Sequence, residues 1–126
     1  MAYFEKWREY TDNQRKMEGD IEQAIESVEG SELDLNKFLL LYFLHQAPGH
    51  RLRQNELEDK LHLSASAISR MIARMEARDC ETIEKQVCAD DKRATNIVLT
   101  PIGEKLLAKT LQQIEGVLTK YREILN

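Results

Sequence analysis

The residues of this chain with the most usable surface chemistry fall between Leu63 and Glu76, in the run LSASAISRMIARME. Read at helical spacing, Ile68, Met71, Ile72 and Met75 recur at i, i+3, i+4 and i+7 and mark a buried stripe. The opposite stripe carries Ser66, Arg70, Ala73 and Ala77, flanked by Ser69 and Arg74, so it is small and basic. Small side chains such as Ser66, Ala67 and Ala73 let a helix backbone approach base edges, and Arg70 and Arg74 can reach guanine O6 and N7 or a phosphate. Ser64 and Ser69 can donate to phosphate oxygens near the helix start, where the backbone already favours anions. A second basic point follows in the polar turn Ala89-Asp90-Asp91-Lys92-Arg93, where Lys92 and Arg93 would lie along or inside an adjacent minor groove. Taken singly, arginines on a helix are more often plain solvated charges. The order of the pieces is what points to double-stranded DNA.

Other chemistry finds little support. Cys80 and Cys88 offer neither a C-x-x-C pair nor finger-like Cys/His spacing, so no structural metal is expected. The residues between them read as a strand, and eight extended steps span about 25 Å, so the strand reading argues against an intrachain disulfide. Lys85 and the basic turn could lower the thiol pKa of Cys88, yet a structural or incidental cysteine is the simpler reading. His45, His50 and His62 show no ligand spacing among themselves, and metal ligands drawn from separate helices cannot be assigned from sequence. No nucleophile–base pair, phosphate loop or paired-carboxylate site stands out, so the reading is of a protein that is no enzyme and needs no cofactor.

The chain has 126 residues, 42% hydrophobic and 32% charged, enough for one domain spanning 1–126. Its net charge of −4 runs against a nucleic-acid partner until the distribution is read. Residues 1–50 carry 5 basic and 10 acidic groups, residues 51–93 carry 9 and 9, and residues 94–126 carry 4 and 3. The acidity is concentrated in the first segment, which is expected to lie away from DNA. No stretch reaches the roughly 20 apolar residues of a membrane helix, and the N-terminus lacks a signal-peptide core, so no membrane partner and a cytoplasmic location are expected.

Several elements must position this surface. Tyr3, Trp7, Tyr10, Met17, Ile21, Ala24 and Val28 keep a 4-3-4-3 spacing broken only by Gln14, which predicts a long amphipathic helix ending at Gly30-Ser31. The run FLLLYFL predicts a core helix that starts at Asp34, an N-cap residue. Pro48-Gly49 breaks the chain before a short helix over 55–61, and Ser64 caps the basic-faced helix that follows. Thr82–Val87 and Thr95–Leu99 read as the two strands of a hairpin. Thr100-Pro101 opens a last helix whose Leu107, Thr110, Ile114, Val117, Tyr121 and Ile124 repeat the 3-4 spacing. The two terminal helices carry more apolar seam than one such domain needs, and a second copy of the chain is the natural cover. The seam residues are Trp7, Tyr10, Met17 and Ile21 on the first helix and Leu107, Ile114, Val117 and Tyr121 on the last. The Tyr3/Trp7/Tyr10 stripe could instead form an aromatic ligand cage, a less common use of such a pattern.

Two helices joined by a tight turn, the second small-faced and basic, followed by a hairpin with a basic tip, form the layout of a winged helix-turn-helix. At this point the chain resembles the MarR family of bacterial transcription regulators, from about Leu33 to Leu111. The resemblance is carried by Leu63-Ser64-x-Ser66-x-Ile68-Ser69-Arg70-Met71-Ile72 with Arg74-Met75-Glu76, then Asp91-x-Arg93-Ala94, then Val98-Leu99-Thr100-x-x-Gly103. No piece decides alone; their order and spacing make the match specific. The resemblance implies a mainly α fold: N-terminal dimerisation helix 1–30, winged helix-turn-helix 33–100 with a two-stranded β-hairpin wing, and C-terminal dimerisation helix 101–126. It implies that Asp91 steadies Arg93 in the wing. It also implies a homodimeric repressor on a pseudo-palindromic site, released by a small-molecule effector or, in some relatives, by thiol oxidation. Members commonly carry Gly-Leu-Ile at the wing entrance, where this chain has Glu81-Thr82-Ile83. Many continue past the long C-terminal helix into another helix that completes the dimer, so with the sequence stopping at Asn126 the expected interface rests on the first and last helices alone or is smaller. Two other readings of the residues stand beside this one: a winged-helix module that binds protein rather than DNA, and a non-specific architectural DNA binder, which the net charge disfavours.

Overall fold

In the computed structural model, residues 1–28, 32–76, 81–87 and 95–126 are described. The elements run α1 (Ala2–Glu26), α2 (Leu35–Gln46), a 3₁₀ turn (Pro48–His50), β1 (Arg51–Arg53), α3 (Gln54–Leu61), α4 (Ala65–Glu76), β2 (Ile83–Val87), β3 (Thr95–Leu99) and α5 (Pro101–Leu118). A 3₁₀ turn (Thr119–Tyr121) and a short α6 (Arg122–Leu125) complete the chain.

Local chemistry explains most boundaries. Asp34 accepts a hydrogen bond from the Lys37 amide at 2.8 Å, and this cap starts α2 where the chain enters its most apolar run. The α2 residues Phe38, Leu40, Leu41 and Leu44 are buried, as a helix apolar on most sides requires. Glu56 reaches back to the Arg53 amide at 3.1 Å and fixes the first turn of α3. That helix ends at His62, which takes a left-handed conformation (φ 56°) and so turns the chain sharply towards α4.

The strands form one antiparallel sheet in the order β1-β3-β2, with Leu52 opposite Ile97 and Ile83 opposite Leu99. The expected two-stranded hairpin is present as β2 and β3, and β1 adds a third strand that the sequence pattern does not mark. The polar turn between β2 and β3, with Asp91, Lys92 and Arg93, lies outside the described residues. So do Ala77, Cys80, Cys88 and the expected helix stop at Gly30-Ser31.

The core lies where α2, α3, α4 and the sheet meet α5: Leu41, Leu44, Leu57, Ile68, Ile72, Met75, Ile97 and Leu107 are all buried there. Packing of α1 on α5 closes it at one end through Ala24 and Ile25. Helix α5 is shorter than its apolar spacing suggests. Thr119 donates from its hydroxyl to the Gly116 carbonyl at 2.7 Å, and the chain tightens there into the 3₁₀ turn.

Candidate nucleic-acid interface

Helix α4 divides into two faces. Ile68, Ile72 and Met75 are buried against the core, with Met71 partly so, which drives the helix down onto α3 and the sheet. Ser66, Ser69, Arg70, Ala73 and Arg74 are exposed, and Ala67 is intermediate. Among the described residues no carboxylate stands within ion-pair distance of Arg70 or Arg74, so both guanidinium forks present their donors to solvent.

The hydroxyls on this face are already organised. Ser64 accepts from the Ala67 amide at 3.2 Å, capping α4, and lies 3.3 Å from the Ser66 hydroxyl. Gln54, at the start of α3, donates from its side-chain amide to the Ser69 hydroxyl at 2.8 Å. Ser69 accepts in its pairing and keeps its O–H to donate outward, while the Ser64–Ser66 pair uses one of its two hydroxyl protons and keeps the other. The Gln54–Ser69 bond ties the outer face of α4 to α3, and sequence reasoning missed it because the partners are 15 positions apart. Arg51 and Arg53, exposed on β1, are further basic groups that no motif in the sequence singles out.

The wing entrance is bound firmly to α5. The Thr100 amide donates to the Thr82 carbonyl at 3.1 Å, and its hydroxyl lies 2.6 Å from the Glu81 carbonyl while also accepting from the Gly103 amide at 3.1 Å. Glu81 has φ of 39°, a left-handed conformation that suits glycine.

A sequence model of the MarR family matches residues 31–94. The chain belongs to the MarR family. Among solved structures, the MarR family regulator AbsC of Streptomyces coelicolor superposes with a TM-score of 0.84 at 23% identity, covering 96% of this chain and 78% of that one. A second S. coelicolor MarR family regulator, Sco3205, solved in complex with DNA, gives 0.80 at 24% identity over 90% of this chain and 69% of its own. A mutant of Escherichia coli MarR complexed with operator DNA gives 0.77 at 18% identity, covering 90% and 76%. No curated protein matches the sequence at a significant level. These likenesses establish a MarR-type winged helix fold, in which α3 and α4 are the helix-turn-helix and β2–β3 the wing strands. Among the described residues no helix is long and apolar enough to cross a membrane.

The residues expected to form a dimer seam fall into two groups in this MarR family chain. Leu107 and Ile114 are buried inside the chain's own core, so they support α5 from within rather than offering surface. Tyr121 bonds through its hydroxyl to the Asp20 carboxylate, tying the C-terminal turn to α1 of the same chain. By contrast Tyr3, Trp7 and Tyr10 are 89%, 56% and 65% exposed, with Met17, Ile21 and Val117 intermediate.

The histidines also part from the sequence reading. His45, His50 and Glu104 are brought together from α2, the turn after it and the first turn of α5, although no spacing in the sequence marks them.

Proposed function

We propose that the chain is a sequence-specific, DNA-binding transcription regulator, acting in the cytoplasm without a catalytic step. The observation that carries this is the outward face of α4: exposed Ser66, Ser69, Arg70, Ala73 and Arg74, backed by a buried Ile68/Ile72/Met75 stripe. Two structural relatives are bound to DNA in their solved structures, which supports the same use of the fold here. In this reading α4 enters the major groove, with Ser64, Ser66, Ala67, Ser69, Arg70, Ala73 and Arg74 at bases or phosphates. Asp91, Lys92 and Arg93 serve the neighbouring minor groove.

The exposed aromatic stripe of α1 supports a homodimer, since nothing in the described chain covers it. A two-fold dimer would set its recognition helices in successive major grooves, on half-sites about one helical turn apart. Repression by promoter occlusion, released when a small molecule alters the spacing of the two α4 helices, completes the proposal. A hollow between the end of α4, β2 and the start of α5, lined by Glu76, Glu81, Ile83, Glu84, Pro101 and Ile102, offers room for such a molecule.

The test is selection of bound duplexes from a random DNA pool, with wild type and with Arg70→Ala. Enrichment of an inverted repeat by wild type alone is the expected result. No enrichment at any salt concentration would overturn the regulator reading in favour of a protein-interaction module.

A further inference from the structure

The cluster of His45, His50 and Glu104 plays no part in the surface described above. His45 closes the last turn of α2, His50 follows the Pro48-Gly49 break, and Glu104 lies in the first turn of α5. His45 Nδ1 stands 3.5 Å from a Glu104 carboxylate oxygen, and the two imidazole rings are 5.2 Å apart between centroids. One donor atom from each of the three residues lies within 4.8 Å of the other two.

We infer that His45, His50 and Glu104 form a zinc site. Zn–N and Zn–O bonds of about 2.0–2.1 Å at a tetrahedral angle place neighbouring donors about 3.3 Å apart. The His45–Glu104 pair is already close to that separation, and side-chain rotation closes the rest, since His45 and Glu104 are exposed and His50 is partly so. Two imidazoles and one carboxylate suit zinc over magnesium or calcium, which take oxygen donors throughout. Three protein donors leave a fourth position for water.

The backbone around the site is committed to this arrangement. Gly49 (φ 69°) and His50 (φ 54°) are successive left-handed residues, and the His50 amide donates to the Ala47 carbonyl at 2.9 Å. A left-handed histidine is disfavoured by roughly 1–2 kcal/mol, and here it folds the His50 ring back onto His45. The C-terminal end of α2 is the negative end of that helix, which further favours a cation beside His45.

The three ligands join the end of α2 and the start of β1 to α5, and α5 in turn holds the wing entrance through Thr100. Zinc bound here would fix the angle between α5 and the winged segment, and hence the presentation of α4. That consequence rests on the regulator reading; the site itself does not.

Zinc titration of the metal-free full chain against a chromogenic chelator, with a parallel cobalt(II) spectrum, tests the site. A single zinc per chain and the intense visible absorption of four-coordinate cobalt are expected. His45→Ala, His50→Asn and Glu104→Gln should each weaken zinc on the order of 100-fold or more, at or beyond the upper end of what outer-shell changes do. His62→Asn, which keeps a residue tolerant of left-handed backbone, should leave binding unchanged. Circular dichroism separates lost ligands from lost fold. No zinc uptake by wild type, or uptake indifferent to all three substitutions, would overturn the site. Repeating the duplex selection with and without zinc separates the two claims: zinc binding with no enriched sequence sinks the regulator, and an enriched sequence with no zinc binding sinks the site.

Discussion

Gly103 lies so close to the Thr82 carbonyl that no side chain fits between them. A Cβ on Gly103 would meet the Leu99 Cδ1 at 2.8 Å and the Thr82 carbonyl carbon at 3.0 Å, with the Thr82 oxygen nearer still. Two of the three neighbours are backbone atoms, which cannot swing aside as the end of a side chain can. Gly103 is thus required by the docking of α5 onto the wing entrance. Gly103→Ala is expected to destabilise the fold by about 3 kcal/mol, the upper end of overpacking, read as a lowered midpoint in urea. A variant as stable as wild type would show that the α5–wing packing is looser than this geometry.

Beside it, the Thr82 hydroxyl is buried with no hydrogen-bond partner among the described residues. An unsatisfied buried hydroxyl costs about 1–3 kcal/mol. Thr82→Val keeps the shape and removes the polar atom, so it should raise the urea midpoint. A drop in stability would mean that the hydroxyl has a partner, such as water, and that Val removes it.

Tyr121 and Asp20 are far apart in sequence and joined by a hydrogen bond. The Asp20 carboxylate accepts from the phenol, and this bond, with some burial and the nearby negative charge, raises the Tyr121 pKa above its ordinary value of 10.0. The phenol's proton is held more tightly in the folded state, so its stabilising effect is complete below about pH 10 and is lost as pH rises towards the raised folded value. Phenolate absorbance should show one of the 4 tyrosines titrating last, and Tyr121→Phe should abolish that late step. A single common transition in wild type would refute the bond.

How far the sequence disclosed this fold follows from the range of each interaction. The caps at Asp34, Ser64 and Thr100 were legible because a cap joins residues three apart. The strand β1 was not: it is three residues long, wedged between a turn and a helix, and exists only because Leu52 meets Ile97 far along the chain. The 3-4 spacing of α5 put Leu107 and Ile114 on an apolar seam assigned to a partner chain, whereas both are buried within the chain's own core, because periodicity says that a face is covered and not by what. Here α1 and α2 pack on α5, leaving the outer aromatic stripe of α1 as the open seam. The His45–His50–Glu104 cluster was invisible for the same reason, since packing of α2 on α5 alone brings its members together.

That open seam yields a prediction. The first ten residues of the chain are all exposed, whereas the core packing of α1 comes from Ala24 and Ile25 at its other end. Trp7→Glu should therefore leave each chain folded while placing a charge in the proposed dimer interface, where an unpaired buried charge is strongly unfavourable. Sedimentation is expected to show a dimer for wild type and a monomer for the variant at the same concentration, with unchanged helical content. An unaltered dimer would move the interface away from this end of α1.

Arg70 and Arg74 should separate by experiment into different roles. Arg70 is centred on the exposed stripe between Ser66 and Ala73, while Arg74 lies on its flank, and neither is held by an ion pair among the described residues. A central arginine on a recognition helix faces base edges, and a flanking one faces the phosphate backbone. Arg70→Ala is expected to weaken binding to the selected operator by about 1–3 kcal/mol and to relax preference at one base pair per half-site. Arg74→Ala should weaken operator and random duplexes alike, and should lower the slope of log affinity against log salt by about one for each phosphate it no longer neutralises. Fluorescence anisotropy across a salt series reads both effects. Equal weakening on operator and random DNA for Arg70→Ala would assign it to the backbone, and base reading by α4 would then fall to its serines.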